Sequence, residues 1–270
     1  MRDDLLPVLA CPVCAEPLGR VDGGQVGCPT GHRFDEAKQG HLTLLPAKRR
    51  ALTADTPEMV DARLRFLGRG HYATVERALA AVVAGAAAPG IVLDVGSGPG
   101  TYLAHALAAA DDRLGVALDL SPVAIRRAAR AHERAGAVVG DVTERLPVVD
   151  GAAAVVLDVF APRNQTEYAR VLHPDGVLVV VTPRPGHLAE LAEATITVDP
   201  EKERRLHDSL TPAFGLRSSE DLTWTMDLTA DDVHDVVHMG PSHHHVAADA
   251  EYTPTTVTAA VTISTWIPAR

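Results

Sequence analysis

Ile91-Val-Leu-Asp-Val-Gly-Ser-Gly-Pro-Gly100 is the stretch on which the fold turns. A short apolar strand, Ile91–Val95, runs into a glycine-rich turn, and a helical pattern over Thr101–Ala110 follows. Glycines there let the backbone turn tightly and approach a ligand closely. The spacing is G-x-G-x-G. The dinucleotide fingerprint G-x-G-x-x-G would need glycine at position 101, where the chain has Thr101. That departure disfavours NAD and suits S-adenosylmethionine, which carries no pyrophosphate. Gly96, Ser97, Gly98, Gly100 and Thr101 are therefore the first cofactor-binding candidates.

Downstream the pattern alternates as a doubly wound sheet requires. Leu114–Leu120 reads as the second strand, and Ser121-Pro122 caps a helix through IRRAARAHERA. Val138-Val139 is a short strand, Ala152–Phe160 a buried one, Thr166–Leu172 a helix and Val177–Thr182 an apolar strand. Leu222–Leu228 and Thr256–Ile267 show β patterning around a helical Ala230–Met239, which gives a late hairpin. The whole predicts an α/β, Rossmann-like class I methyltransferase domain over residues 91–270, with a mostly parallel seven-stranded sheet.

Ligands in such sheets bind beyond the carboxyl ends of the strands. Asp119, 19 residues after Gly100, ends the second strand, where a carboxylate accepts both ribose hydroxyls. Asp141 follows the third strand and suits the adenine amino group; Asp94 suits the loop or the amino-acid end of the cofactor. The end of the fourth strand, Leu157-Asp158-Val-Phe160-Ala-Pro162-Arg-Asn164, should line the acceptor pocket. Phe160, Pro162 and Asn164 are the substrate-binding candidates, and Asp158 is the candidate proton acceptor.

Upstream, residues 47–90 read as a polar linker followed by two helices, Glu58–Leu67 and Tyr72–Ala88, and residues 1–46 as a compact, turn-rich module. All three cysteines lie in that module, as Cys11-x2-Cys14-x13-Cys28-x3-His32. Two turns each present two soft ligands, which matches tetrahedral zinc, and a filled set leaves no position for water. The module is thus a zinc ribbon holding one structural ion, in a reducing compartment. A segment this short seldom builds its own core, so the metal supplies the missing stability.

The formal net charge of −10 does not by itself suit a nucleic-acid binder. The charge is uneven: residues 199–270 hold 12 acidic and 5 basic side chains, whereas residues 1–50 hold 6 and 7 and end in Lys48-Arg49-Arg50. No apolar run reaches the roughly 20 residues a membrane span needs, and no secretory segment opens the chain, so a cytoplasmic protein is expected. His243-His244-His245 reads as a loop without a second ligand set.

With these residues in place the chain resembles the zinc-containing 23S rRNA guanine-N1 methyltransferases. It is most similar to the actinobacterial branch that methylates hairpin 35 and contributes to tylosin-type macrolide resistance. Beside the zinc ligands, the carrying segments are His32-Arg-Phe-Asp35, Gly40-His-Leu-Thr-Leu-Leu-Pro46, Ala54-Asp55-Thr-x-x-Met59, Gly70-His71-Tyr72, Val159-Phe-Ala-Pro-Arg-Asn164, Thr182-Pro-x-x-x-His187-Leu and Met239-Gly-Pro-Ser242. The resemblance implies that Tyr72 and His187 also contact the cofactor. It implies a homodimer whose paired N-terminal modules help form a cleft for the rRNA hairpin. A methyltransferase acting on a small molecule, or a zinc- and cofactor-binding RNA protein without turnover, remains the alternative on residue patterns alone.

Overall fold

The computed structural model describes residues 1–45, 54–192, 194–195, 201–240, 242–243 and 250–269. Lys48-Arg49-Arg50 and His244-His245 lie outside the described residues. The chain starts with a 3-10 turn, Asp3–Val8, and a small antiparallel sheet of β1 (Gly19–Arg20), β2 (Val26–Gly27) and β3 (Arg33–Phe34). β4 (Leu42–Thr43) follows, then α1 (Pro57–Gly68) and α2 (Ala73–Ala84). Thr56 caps α1 by accepting from the Met59 amide, with Pro57 in the first turn.

The alternating part comprises β5 (Ile91–Val95), α3 (Thr101–Ala108), β6 (Gly115–Asp119), α4 (Pro122–Ala128), β7 (Ala135–Val139), β8 (Ala153–Val159), α5 (Gln165–Val171) and β9 (Leu172–Pro183). After it come α6 (Lys202–Leu210), β10 (Phe214–Leu228), α7 (Ala230–His238) and β11 (Thr255–Pro268). The large sheet has the order β10-β11-β9-β8-β5-β6-β7-β4. Its pairings are parallel from β4 to β9 and antiparallel across β9, β11 and β10.

Eight strands stand where seven were expected. The eighth is β4, contributed by the N-terminal module, which pairs in parallel with β7 through Leu42–Val138 and Thr43–Val139. Leu5, Leu6 and Leu9 are buried in the same apolar cluster as Val116, Leu118 and Val138 of the sheet. Gly136 permits this approach. A side chain there would come within 2.7 Å of the Met1 sulfur and 2.8 Å of Leu5. The zinc module therefore extends the sheet and shares its core. Every residue of β5, β7 and β8 is buried, as strands covered on both faces require.

Candidate active site and zinc centre

A cavity of about 1110 Å³ opens beyond the carboxyl ends of β5, β6, β7 and β8. Tyr72, Gly96, Ser97, Gly98, Asp119, Asp141, Phe160, Pro162 and His187 line it, so most of the residues singled out in the sequence meet there. Gly98 has φ +53°, and a Cβ on it would come within 2.8 Å of Arg63, so the loop keeps a bare backbone face. Asp119 locks that loop: one carboxylate oxygen accepts from the Gly98 amide and the other from the Ser121 amide, both at 2.8 Å. A carboxylate offers about four lone-pair positions, so two remain for a ligand. Burial raises the Asp119 pKa and the two amide donors oppose the rise. Asp141 is similarly braced, accepting from the amide and hydroxyl of Thr143 at 2.9 and 2.6 Å.

Tyr72 and His187 form one unit. The Ala260 amide donates to His187 Nδ1 at 3.1 Å, so that nitrogen carries a lone pair. In the neutral ring the proton then sits on Nε2 and donates to the Tyr72 oxygen, 3.1 Å away. With His187 donating, the Tyr72 hydroxyl keeps its own proton to give to another acceptor, and burial pushes the phenol pKa up, keeping it protonated. Phe160 stands 6.1 Å from both rings, at φ +56° and 39% exposed. A non-glycine residue held in this region is strained, and such strain clusters at functional sites.

Other candidates are not on the cavity wall. Asp158 is fully buried behind it, and its carboxylate accepts from the Tyr168 hydroxyl at 2.9 Å. The expected proton acceptor is thus not among the residues that line the cavity. Tyr168 also lies 3.1 Å from the Pro162 carbonyl, so the pair braces the Phe160–Pro162 turn. Asn164 caps α5 and donates to the Val142 and Glu144 carbonyls, which ties two loops together rather than facing the cavity. Gly100 is the N-cap of α3 and Thr101 its first residue. Asp94 is buried with Oδ2 unpartnered. Burial, then the charges of Asp119 and Asp158, raise its pKa well above the usual carboxylate range.

Sequence reading missed Arg63, Asp55 and Tyr102. Arg63 pairs with Asp55 at 2.6 Å and donates to the Met239 carbonyl at 2.5 Å. Arg63 and Met239 are 176 residues apart. No local spacing carries that contact, although Ala54–Met59 and Met239–Ser242 had each stood out as motifs. Arg163 and Arg205 add positive charge to the cavity wall.

In the N-terminal module the donor atoms of Cys11, Cys14, Cys28 and His32 all lie within 4.8 Å of one another. Cys14 and Cys28 sulfurs are 3.6 Å apart, and His32 Nδ1 is 3.6 Å from Cys11 and 3.3 Å from Cys28. Tetrahedral zinc with bonds of about 2.3 Å to sulfur and about 2.0 Å to nitrogen needs separations of roughly 3.5–3.8 Å. The set fits one structural zinc. Thr30, not anticipated from sequence, brings its hydroxyl to 3.0 and 3.1 Å from two of the sulfurs.

Residues 9–51 match the family model described as RlmA, N-terminal, a zinc ribbon, and residues 92–176 match a methyltransferase domain. A Streptomyces fradiae protein named 23S rRNA (guanine(748)-N(1))-methyltransferase is 46% identical, over 92% of this chain and 90% of its own. A Micromonospora griseorubida protein, provisionally named a 23S rRNA (guanine-N(1)-)-methyltransferase, is 44% identical over 99% of this chain and 100% of its own. Among solved structures, YcgJ from Bacillus subtilis superposes with TM-score 0.51 at 16% identity, covering 72% of this chain and 99% of that one, a likeness of fold. Among the described residues no helix is long and apolar enough to cross a membrane.

Proposed function

This chain belongs to the 23S rRNA (guanine-N1)-methyltransferase family, and we propose that it methylates N1 of a guanine in hairpin 35 of that RNA. The observation that carries the reading of the site is the exposed, strained Phe160. It stands on the same cavity wall as the Gly96–Gly98 loop, Asp119 and the Tyr72–His187 pair. A nucleoside end and an aromatic acceptor end thus share one chamber.

S-adenosylmethionine supplies a methyl group on a sulfonium, which reacts by in-line displacement once aligned. Asp119 has lone pairs left for the ribose hydroxyls, and Asp141 suits the adenine amino group. Asp94, buried behind the wall with one oxygen unpartnered, would orient the glycine loop or meet the amino-acid end of the cofactor. The Tyr72 hydroxyl would donate its proton to a ligand in the cavity. Guanine N1 lies on the Watson–Crick edge, so the base has to leave its stack, and Phe160 offers a face on which to receive it. Holding N1 against the methyl carbon supplies much of the rate. The N1–methyl bond would form as the sulfonium–methyl bond breaks, with the N1 proton passing to a carboxylate or to water.

The zinc ribbon, nearly balanced in charge, is the RNA-reading part, and two copies in a homodimer flank the hairpin. Methylation there would protect the ribosome from tylosin-type macrolides. The test is incubation of the zinc-loaded protein with labelled S-adenosylmethionine and a hairpin-35 fragment, followed by primer extension. One stop at a loop guanine is expected. Phe160→Ala should lower kcat/KM for RNA about tenfold to a hundredfold, because stacking on an aromatic ring is worth about 1–3 kcal/mol, while cofactor Kd stays put. Intact cofactor binding without label in guanine would overturn the reading.

A further inference from the structure

α7 carries His234-Asp-Val-Val-His238, a spacing of four that sets both rings on one helix face. The rings stack with centroids 4.3 Å apart. Metal-binding helices use this same i, i+4 pair. The following turn brings a third imidazole, His243, with its Nδ1 2.8 Å from His238 Nδ1. The three histidines share a second cavity, of about 400 Å³, with Glu58, Asp61 and Arg65 of α1. One histidine of that loop thus lies beside two imidazoles of the helix that precedes it.

The far nitrogens are anchored. His234 Nδ1 lies 3.3 Å from the Asp235 carboxylate, and His238 Nε2 lies 2.9 Å from the Tyr252 hydroxyl. A carboxylate or hydroxyl behind an imidazole is the arrangement that orients metal-ligating histidines. Ligand positions then remain at His234 Nε2 and at His238 Nδ1, which lies beside His243 Nδ1. Burial, with the charges of His234 and His243, lowers the His238 pKa, which keeps a lone pair available. Tetrahedral zinc with bonds of about 2.0–2.1 Å needs ligand nitrogens about 3.3 Å apart, so the His238–His243 pair opens by about half an ångström to exchange its shared proton for an ion. The nearby charges do not oppose this. Arg65 is committed to Asp235 at 2.6 Å, and Asp61 to Arg127 at 2.8 Å. Glu58 supplies a carboxylate on the facing wall.

We propose that His234, His238 and His243 form a second divalent-metal site, for an imidazole-seeking ion of the zinc, cobalt and nickel kind, separate from the ribbon's zinc. Met239, Gly240 and Ser242, between His238 and His243, line the large cavity, so an ion here fixes one of its walls.

The test titrates the full-length, zinc-loaded protein with Co²⁺ and follows metal content by mass spectrometry and visible absorption. One Co²⁺ per chain should bind beside one retained zinc, with d–d bands and no thiolate charge-transfer band. His238→Asn and the half-exposed His234→Asn should each weaken Co²⁺ binding at least tenfold while the ribbon zinc and the melting temperature hold. His234→Asn keeps the test decisive if His238→Asn fails to fold. Absence of Co²⁺ beyond the zinc, a thiolate band from displacement of the ribbon ion, or unchanged binding in folded variants would overturn the proposal.

Discussion

Phe160, Tyr72 and His187 come from three distant parts of the chain, yet their rings meet at 6.1–6.2 Å. Phe160 was legible because the end of a buried strand is where open α/β sheets put ligands. Tyr72 and His187, 115 residues apart, were known only through resemblance, since nothing in their local sequence marks a tyrosine whose partner's tautomer is set by a third segment. The setting of Asp158 was not legible, because a carboxylate at a strand end looks alike whether it faces a cavity or turns back to a tyrosine. The Tyr72 pair gives a prediction. Tyr72→Phe removes one ordinary hydrogen bond and the hydroxyl that would donate to the ligand, so cofactor Kd should rise about three- to tenfold by calorimetry. An unchanged Kd would remove Tyr72 from the cofactor site.

α1 and α7 are joined by a buried charge clasp. Asp232 accepts from Arg69 and His71, and Asp235 from Arg65 and Arg69, at 2.6–3.2 Å. Burial alone would raise the Asp232 pKa. Hydrogen bonds from Thr229 and His71 overcome it and hold the group at about 2, below its ordinary 3.8. A depressed carboxylate stabilises the fold above its unfolded pKa and loses that contribution as pH falls through the folded one. Roughly 2 kcal/mol should therefore fade between about pH 4 and 2. In urea melts Asp232→Asn should flatten that loss; parallel curves for variant and parent would show the clasp to be irrelevant. α7 itself was plain from sequence, with Thr229 and Asp232 forming its capping box. β10 was seen only over its last residues. Its stretch Gly215–Asp221 is exposed on the sheet edge, so no apolar alternation marks Arg217-Ser-Ser-Glu-Asp221 as strand.

Across the whole molecule the zinc ribbon and the catalytic sheet are one structure. β4 pairs with β7, and Leu5, Leu6 and Leu9 lie under the sheet. Removing zinc with a strong chelator should therefore loosen more than the ribbon. The protein's melting temperature should fall, and amide exchange should speed up at Val138 and Val139 as well as across residues 9–34. Faster exchange confined to the ribbon would show that β4 docks without coupling the two.

The glycine turn, the strand–helix alternation and the zinc ligand set were determined by the sequence itself, because each rests on neighbours a few residues apart. Backbone conformation and ligand spacing are local quantities. The eighth strand, the Tyr72–His187 tautomer, the Asp55–Arg63–Met239 bridge and the withdrawal of Asp158 from the wall were decided only in three dimensions. Each depends on which side of an element faces which other element. That is set by the packing of the whole core, which no short stretch of sequence encodes. The glycine loop at Gly96–Gly98 was readable as a nucleoside site from the outset; the arginines that share its cavity, Arg63, Arg163 and Arg205, were not.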